Sequence, residues 1–438
     1  MAHVHSPGKF TDTSMYQTES GLNPALHSPA LGAASRSRIG AGVYFLGMTS
    51  LLTDISAEMV ASILPLYLFS VLRLSPFEFG LIDGLYNGSA AIARLASAYW
   101  ADRRGRHKAL AFTGYLLSAL AKFALLFAGI AGWLSVAAVL LVDRVGKGIR
   151  TSPRDALIAS HASAASVGAA FGVHRAMDAV GAIIGPLLAT ALLLWLPRRF
   201  DIVFLGSLCF AVLGLLVFGL CVQAGREGSA TAPDQRQSLS LAAMLRTMRS
   251  PRFMLLVAAA SLLSLFTLSD NMIYLGLQRQ LDFDASYLPL LFVATACVFM
   301  CLAIPLGRLA DRFGHVRVFL AGYLMLGLVY CLYVALPASG NIKLVVCIVL
   351  LGAYYAATDG ILAALAVKQL PVEMHATGIA CIGTLTSLGR MGSSILFGWG
   401  WESLGQEQAV GWFGIAMLAM LFLTVLLARK LGQGARSA

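Results

Sequence analysis

Twelve apolar stretches, each long enough to cross a bilayer as a helix, follow one another along this chain and constrain its fold more than any other feature. A transmembrane helix needs about 20 consecutive, mostly apolar residues. Only 12% of the 438 residues are charged, about half the share of a soluble chain, so much of the outer surface must face lipid. The pattern therefore predicts an all-α integral membrane protein with twelve transmembrane helices. The stretches cover residues 44–72, 77–100, 109–130, 133–150, 167–196 and 202–223, and then 253–275, 287–306, 318–336, 343–367, 377–399 and 410–428.

A polar segment at residues 225–250 is the longest interruption between apolar stretches, and it divides the twelve into six and six. We therefore predict an N-terminal six-helix bundle at 40–224, a cytoplasmic linker at 225–250 and a C-terminal six-helix bundle at 251–430. Residues 1–39 are polar and rich in Ser, His, Pro and Gly, which predicts a disordered cytoplasmic tail. Residues 431–438 are predicted to form a second, short cytoplasmic tail.

The lysines and arginines between the stretches lie mostly on one side of the predicted bundle. If both termini are cytoplasmic, 21 of them fall on the cytoplasmic side and five on the other. Because cytoplasmic loops carry an excess of Lys and Arg, the count predicts a multi-pass protein of the inner (plasma) membrane with both termini in the cytoplasm. The net charge of +11 has the same origin, so we expect a lipid bilayer and no nucleic acid as the partner of these charges.

Two loops repeat one short pattern at matching positions of the two bundles. Residues 100–106 read W-A-D-R-R-G-R after the second stretch, and residues 309–315 read L-A-D-R-F-G-H after the eighth. Their aspartates, Asp102 and Asp311, are 209 residues apart, close to half the chain. Repeats related by an axis along the membrane normal are a known design of transporters. The repeat therefore predicts two pseudo-symmetric halves.

This loop pattern resembles the G-x-x-x-D-R-x-G-R-R signature of the major facilitator superfamily, and the resemblance implies the major facilitator fold. Ala98 stands where the first copy would have its leading glycine. A glycine turn that holds an Asp and several Arg at a helix end can pair across the halves, or with a helix N-terminus, and latch one conformation. The alternative is a solvated basic loop that serves topology only. The predicted latch comprises Asp102, Arg103, Gly105, Arg106, Gly307, Asp311, Arg312 and Gly314.

A second signature lies in the fourth stretch, where residues 143–150 read D-R-V-G-K-G-I-R. The run resembles the superfamily's R-x-x-x-G pattern at Arg144 and Gly148, and in the family the arginine at this position is linked to proton coupling. A charge at the bilayer centre costs roughly 2.5–3.5 kcal/mol on insertion scales, so such a side chain usually faces a wet cavity or a partner. Lys147 and Arg150 have the alternative of extending toward the cytoplasmic surface.

A third signature is the run G-A-I-I-G-P in the fifth stretch, with Gly181, Gly185 and Pro186 at its key positions. It is similar to the motif typical of the superfamily's antiporters, and the resemblance implies export. Small residues allow close helix contact and proline bends a helix. A packing motif without any link to the direction of transport is therefore the alternative.

Ionisable residues inside the apolar stretches indicate a site for proton coupling. Asp54 and Glu58 lie four residues apart, on one face of the first helix. A buried carboxylate near an arginine can load and release a proton as access alternates. Our first candidate site therefore combines these two carboxylates with Arg144. The second candidate site, in the fifth stretch, consists of His174, Arg175 and Asp178.

Fewer ionisable residues lie in the second half, which favours a larger share of the substrate-binding surface there. The candidates for the substrate cavity are Asp270, Asn271, Tyr354, Tyr355 and Asp359. Three further buried charges, Asp83, Lys122 and Arg390, have the alternative of forming ion pairs that only neutralise charge between helices.

Two longer runs, residues 53–59 and 143–159, resemble a bacterial exporter branch of the superfamily. This branch is associated with efflux of drug-like compounds or siderophores and, in some members, with nickel or cobalt resistance. The predicted function is a proton-coupled antiporter for efflux of a small-molecule substrate, acting as a monomer. Divalent metal efflux, with Asp54, Glu58 and His174 as ligands, is one alternative. A non-transporting membrane sensor on the same fold is the other.

Motifs of soluble enzymes do not occur in this sequence. It contains no nucleotide-binding loop, metal-hydrolase motif or Ser-His-Asp pattern. Its seven cysteines all lie in apolar stretches, where Cys behaves as a small hydrophobic residue. We therefore expect no enzymatic activity, no cofactor and no resident metal.

Overall fold

Helices make up nearly all of the described part of the chain. The computed structural model describes residues 40–104, 106–162, 166–223, 250–335, 341–371 and 374–434. Its thirteen α-helices are Ala41–Leu66 (α1), Pro76–Arg104 (α2), His107–Ala128 (α3), Trp133–Ser160 (α4), Val167–Trp195 (α5), Phe200–Cys221 (α6), Pro251–Ser264 (α7), Asp270–Leu281 (α8), Leu288–Phe313 (α9), His315–Ala335 (α10), Asn341–Val367 (α11), His375–Leu404 (α12) and Gln406–Gly434 (α13). The predicted tail at 1–39, the linker up to residue 249 and residues 435–438 lie outside the described residues.

Each predicted apolar stretch coincides with a helix or, in one case, with a pair of helices, which confirms the all-α membrane fold. Nine helical spans in the described part are long and apolar enough to cross a bilayer. The spans α2, α4 and α7–α8 fall short of this measure. Polar and charged residues interrupt α2 and α4, and α7 has only 14 residues. All three carry ionisable residues, namely Asp83 in α2, Asp143 in α4 and Asp270 in α8.

The last helix is longer than predicted. α13 extends to Gly434, whereas the sequence predicts a tail from residue 431. No proline interrupts the chain there, so the backbone can continue in a helix.

The two ends of the bundle differ in composition. We call the end at which α6 ends and α7 begins the linker end, and the opposite end the far end. Successive helices joined by short connections run antiparallel, so α1, α3 and α5 run from the linker end to the far end. Tryptophan is enriched where proteins cross a membrane–water interface, and one such interface lies at the far end. Five of the six tryptophans lie there, namely Trp133, Trp195, Trp399, Trp401 and Trp412.

The seventh span is broken in the middle. α7 ends at Ser264 and α8 begins at Asp270, so the prediction of one helix over 253–275 is wrong. The intervening residues 265–269 contain neither Gly nor Pro, which are the strongest signals for a break in a helix. They do contain Ser and Thr, whose side chains compete for backbone hydrogen bonds.

Neighbouring helices satisfy the backbone groups that this break leaves open. The N–H of Leu268 donates to Tyr330 Oη at 2.8 Å, and Tyr330 Oη in turn donates to the carbonyl of Phe266 at 3.1 Å. Ser393 Oγ donates to the carbonyl of Thr267 at 2.7 Å. Non-helical backbone is tolerated at membrane depth only where protein or water supplies such partners. The break is therefore held by α10 and α12, and not by its own sequence.

The two halves of the bundle touch through glycines of α2 and α12 near the far end. A Cβ atom added to Gly398 would lie 2.6 Å from the carbonyl oxygen of Pro76 and 2.9 Å from Gly80 Cα. Real Cβ atoms do not approach backbone this closely, so the contact requires glycine. The two helices pack backbone to backbone here.

Polar and aromatic side chains close the far end above these glycines. The Glu402 carboxylate accepts hydrogen bonds from Ser75 Oγ at 2.9 Å and from the N–H of Phe77 at 3.0 Å, at the start of α2. A carboxylate at a helix N-terminus is favourable because it meets the positive end of the helix dipole. The Arg279 guanidinium lies over the rings of Phe69 and Trp401, 4.5 and 5.4 Å from their centroids. The far end of the bundle is thus closed.

Candidate functional site

Charged and polar side chains from both halves face each other in the middle of the bundle. The first half contributes them from α1, α4 and α5, and the second half from α8, α11 and α12. Several are partly exposed although they lie near the middle of their helices: the side chain of Asp359 is 55% exposed, that of Arg390 38% and that of Lys147 35%. Because the far end is closed, water reaches them from the linker end. The arrangement is a central polar cavity that opens toward the linker end.

Two glycines bring α5 against the face of α1 that carries Asp54 and Glu58. A Cβ atom added to Gly181 would lie 2.7 Å from a carbonyl oxygen of α1 and 3.2 Å from Asp54 Cβ. A Cβ atom added to Gly185 would lie 2.8 Å from the α1 carbonyl oxygen one helical turn further on and 2.9 Å from Glu58 Cβ. Pro186 follows inside α5. The antiporter-like motif therefore sets the position of both carboxylates by close helix contact.

The two α1 carboxylates differ in their partners. Asp54 Oδ1 lies 3.9 Å from Lys147 Nζ of α4, too far for a direct hydrogen bond but close enough for an ion pair. Glu58 is half-buried and forms no hydrogen bond or ion pair with the described residues. Lys147 is therefore the ion-pair partner of Asp54 alone.

Arg144 has other partners than those we predict from the sequence. Asp143 Oδ2 lies 3.3 Å from Arg144 Nη2 and 2.7 Å from Lys122 Nζ, and none of the three side chains is more than 8% exposed. The Arg144 guanidinium lies over the Tyr86 ring, with Cζ 3.8 Å from the centroid. Its Nε finds no hydrogen-bond partner in the described part. A buried ion network thus connects Arg144 to α3, while Glu58 of α1 lies close enough for a charge–charge interaction but forms no ion pair with it.

The second candidate site is only partly assembled. His174 Nδ1 lies 3.3 Å from Asp178 Oδ2, one turn along α5, whereas Arg175 is exposed. His174 Nε2 and Asp178 Oδ1 are buried and have no hydrogen-bond partner among the described residues. Nowhere in the described ranges do three or more His, Cys, Asp or Glu side chains form a group that could hold a metal ion. The ligands named for metal efflux, Asp54, Glu58 and His174, therefore do not form such a group.

The second half contributes two carboxylates with different surroundings. Asp270, the first residue of α8, accepts a hydrogen bond from Tyr355 Oη at 2.8 Å. Asp359 Oδ1 lies 3.9 Å from Arg390 Nη2, a loose ion pair between α11 and α12. Tyr354 is only 1% exposed and packs against the Tyr355 ring. It is part of the core, so the cavity wall of this half consists of the two carboxylates, Tyr355 and Arg390.

Asp83 joins the two halves, which our sequence reasoning does not foresee. Its side chain is 2% exposed and accepts hydrogen bonds from Asn271 Nδ2 at 2.7 Å and Ser394 Oγ at 2.6 Å, both in the second half. Asn87 Nδ2 of its own helix lies at 3.3 Å. No Lys, Arg or His side chain of the described residues lies within ion-pair distance. Asn271 is thus a contact between the halves.

The two copies of the latch pattern can be compared only in part. The side chains of Asp102 and Arg103, and all of Gly105, lie outside the described residues, while Arg106 is exposed directly before α3. The second copy is described throughout. Its Asp311 lies 3.4 Å from His315, in the same half of the bundle.

The glycines of the second copy have different roles. Gly314 separates α9 from α10 with φ +102°, a conformation that side chains rarely adopt. Gly307 lies inside α9, and a Cβ atom added to it would meet no other atom of the described residues within 4 Å. The exposed Arg312 guanidinium lies over the Phe313 ring, 5.3 Å from the centroid. Only Gly314 is therefore required by the turn that the pattern predicts.

This difference gives a test of the turn. Gly314→Ala is expected to lower the free energy of unfolding by about 1–2 kcal/mol, because an alanine at positive φ is strained. Gly307→Ala is the matched control and should leave stability unchanged or raise it, since alanine favours an open helical position. Thermal unfolding of both variants in detergent measures the difference. Equal effects of the two substitutions would contradict a strained turn at Gly314.

Comparison with known proteins identifies the family. A sequence profile of the Major Facilitator Superfamily matches residues 46–394 and 270–436. An uncharacterised MFS-type transporter of Methanocaldococcus jannaschii is 28% identical over 368 residues, which cover 82% of this chain and 88% of that protein. The alpha-ketoglutarate permease of Escherichia coli is 23% identical, with 77% of this chain and 80% of the permease covered.

A solved structure shows the same fold. The crystal structure of a mutant of the nucleoside transporter NupG superposes with a TM-score of 0.75 at 13% identity, covering 88% of this chain and 99% of that chain. Together with the apolar helices, these similarities make the protein a multi-pass membrane transporter and not an enzyme. The chain belongs to the Major Facilitator Superfamily.

Proposed function

We propose that this transporter exports a small organic compound in exchange for protons, by alternating access. The observation that carries the proposal is the position of Asp54 and Glu58 in the central cavity, fixed by Gly181 and Gly185 and facing Lys147. An antiporter needs a group that binds either the proton or the other solute, but not both. A carboxylate in a water-accessible cavity meets this need. The antiporter-like motif of α5 supports export.

Asp54 and Lys147 form the exchange pair in this proposal. Their separation of 3.9 Å leaves the carboxylate accessible to a proton. A proton on Asp54 leaves the Lys147 ammonium without a countercharge, and this charge then opposes a cationic group of the substrate. Loss of the proton restores the pair and removes the repulsion. Binding of the proton and of the substrate are in this way mutually exclusive.

Arg144 acts in the proposal as a fixed positive charge behind the exchange pair. Asp143, which also pairs with Lys122, holds its guanidinium over the Tyr86 ring. A buried charge with such partners keeps one position, because breaking the network would leave an uncompensated charge. The positive field at the α1 carboxylates is therefore constant while access alternates.

The described conformation is inward-facing if the termini are cytoplasmic, as we propose. The excess of Lys and Arg on the side of the termini and the linker supports this orientation in the inner membrane. The far end, with its tryptophans and its closed glycine contact, then faces outward. The cavity that contains Asp54 and Asp359 opens to the cytoplasm, which is where an exporter takes up its substrate.

The test uses purified protein in vesicles that contain a pH-sensitive dye. Candidate substrates are added without an imposed proton gradient, from a panel of cationic drugs, siderophores and divalent metals. Substrate-dependent proton movement in the direction opposite to substrate movement identifies an antiporter and its substrate class. A response to metals alone would favour metal efflux, and no response to any compound would favour a sensor.

Asp54→Asn is expected to reduce substrate-driven proton movement to the level of empty vesicles, because an amide of the same shape cannot exchange a proton. Substrate binding, measured separately by calorimetry, should survive. Asp201→Asn is the matched control, since Asp201 is an exposed far-end carboxylate whose one ion-pair partner among the described residues is Arg199. Undiminished proton movement in Asp54→Asn would move the coupling site to His174 and Asp178.

A further inference from the structure

An apolar groove lies on the second half at the linker end, between α9 and α10. Its volume is about 390 Å³, which is within the range of small-molecule and cofactor sites. Apolar side chains line it, among them Leu306, Leu309 and Phe313 of α9 and Ala321 and Met325 of α10. None of the charged residues of the central cavity lines it. The groove is a site of its own.

The groove opens toward the hydrocarbon of the bilayer. α9 is the most exposed of the apolar spans, and only 11% of its apolar stretch of 18 residues is buried. Ile304 is 65% exposed, Leu309 41% and Phe313 50%. Large apolar side chains with this exposure, in a helix that crosses a membrane, face lipid. An acyl chain can therefore enter the groove directly from the membrane.

A single charged residue, Arg317, lines the groove. Its Nη1 donates to the carbonyl of Phe313 at the long distance of 3.4 Å. A guanidinium has five N–H donors, so most of its hydrogen-bonding capacity remains available. Because Arg317 follows Gly314 at the first turn of α10, it lies at the level where lipid phosphates meet a transmembrane helix.

The surroundings of Arg317 are positively charged. Arg308, Arg312 and Lys368 are exposed at the same end of the same half. Asp311, the acidic residue of this loop, lies beside His315 at 3.4 Å. Basic pockets between transmembrane helices bind anionic lipid headgroups.

We propose that this groove binds an anionic phospholipid, with one acyl chain between α9 and α10 and the phosphate on Arg317. The apolar lining accounts for the chain and the basic cluster for the headgroup. A neutral lipid would fill the groove equally well but would gain nothing from Arg317. The preference for a negative headgroup is therefore the property to measure.

The test compares phosphatidylglycerol with phosphatidylcholine of the same acyl chains, added to the delipidated protein and counted by native mass spectrometry. We expect tighter binding of phosphatidylglycerol, and a loss of about fivefold in Arg317→Ala, the value for one basic residue at an anionic surface. Arg252→Ala is the matched control, because Arg252 is exposed at the linker end but outside the groove. Ala321→Leu, which fills the groove, should weaken both lipids.

Three results would each overturn the proposal. They are equal binding of the two lipids, equal effects of Arg317→Ala and Arg252→Ala, and displacement of phosphatidylglycerol by inorganic phosphate alone. The last result would show a site for the phosphate ion without the acyl chain. Because no transport is measured, the outcome does not depend on whether the protein is a proton-coupled exporter.

Discussion

Gly398→Ala is expected to abolish transport while leaving both halves folded. The new methyl group would lie 2.6 Å from the carbonyl oxygen of Pro76 and 2.9 Å from Gly80 Cα. Both are backbone atoms, which cannot turn away as a side chain can, so the far end cannot close. A transporter that works by alternating access then lacks one of its two states. Transport in vesicles and a spin-label distance between the starts of α2 and α13 measure the loss and the opening.

The matched control lies on the same helix. A Cβ atom added to Gly400 meets its nearest neighbour at 3.7 Å, an ordinary van der Waals contact. Gly400→Ala should therefore transport like the unmodified protein. Transport in Gly398→Ala equal to that in Gly400→Ala would mean that the glycine contact between α2 and α12 is not needed for closure.

Lys122→Ala is expected to lower the free energy of unfolding by about 3 kcal/mol, because removing one partner of a buried ion pair leaves the other charge uncompensated. Lys122 Nζ lies 2.7 Å from Asp143 Oδ2, and the two side chains are 3% and 6% exposed. Arg144, at 3.3 Å, compensates only part of the loss. Thermal unfolding of the purified protein measures the effect.

Two further variants test the network. The double variant Lys122→Met with Asp143→Leu removes both charges of the pair but should not recover the stability, because Arg144 then stays buried without its ion-pair partner. It should not recover transport either, because Arg144 loses the group that holds it. Arg199→Ala breaks the exposed pair with Asp201 and should leave stability unchanged. Recovery of transport in the double variant would contradict a positioning role for Asp143.

The fold follows from the sequence because it depends on length and charge. Twelve apolar stretches, a polar linker and an excess of basic residues on one side are properties of whole segments, and no single residue decides them. The motif glycines are predictable for a related reason. Gly181 and Gly185 lie where a neighbouring backbone leaves no room for a side chain, and Gly314 has a positive φ. Positions of this kind require glycine, and glycine is visible in the sequence.

The partners of the charges do not follow in the same way. The sequence offers Lys147 and Arg144 of α4 as partners of Asp54, and only the rotation of the helices decides that Lys147 forms the ion pair. Asp83 accepts hydrogen bonds from Asn271 and Ser394 because the two halves are in contact there. That contact belongs to one conformation. The break in the seventh span is likewise decided by side chains of α10 and α12.

That break makes α8 a short rigid rod with a hinge at one end. Asp270, in the cavity, begins the rod, and Arg279, over the rings of Phe69 and Trp401, lies near its other end. Nine residues of α-helix span about 14 Å. In the alternating-access cycle that we propose, a substrate bound to Asp270 would tilt this rod about the break and draw Arg279 off the two rings. The break would then couple occupancy of the cavity to the opening of the far end while α7 stays in place.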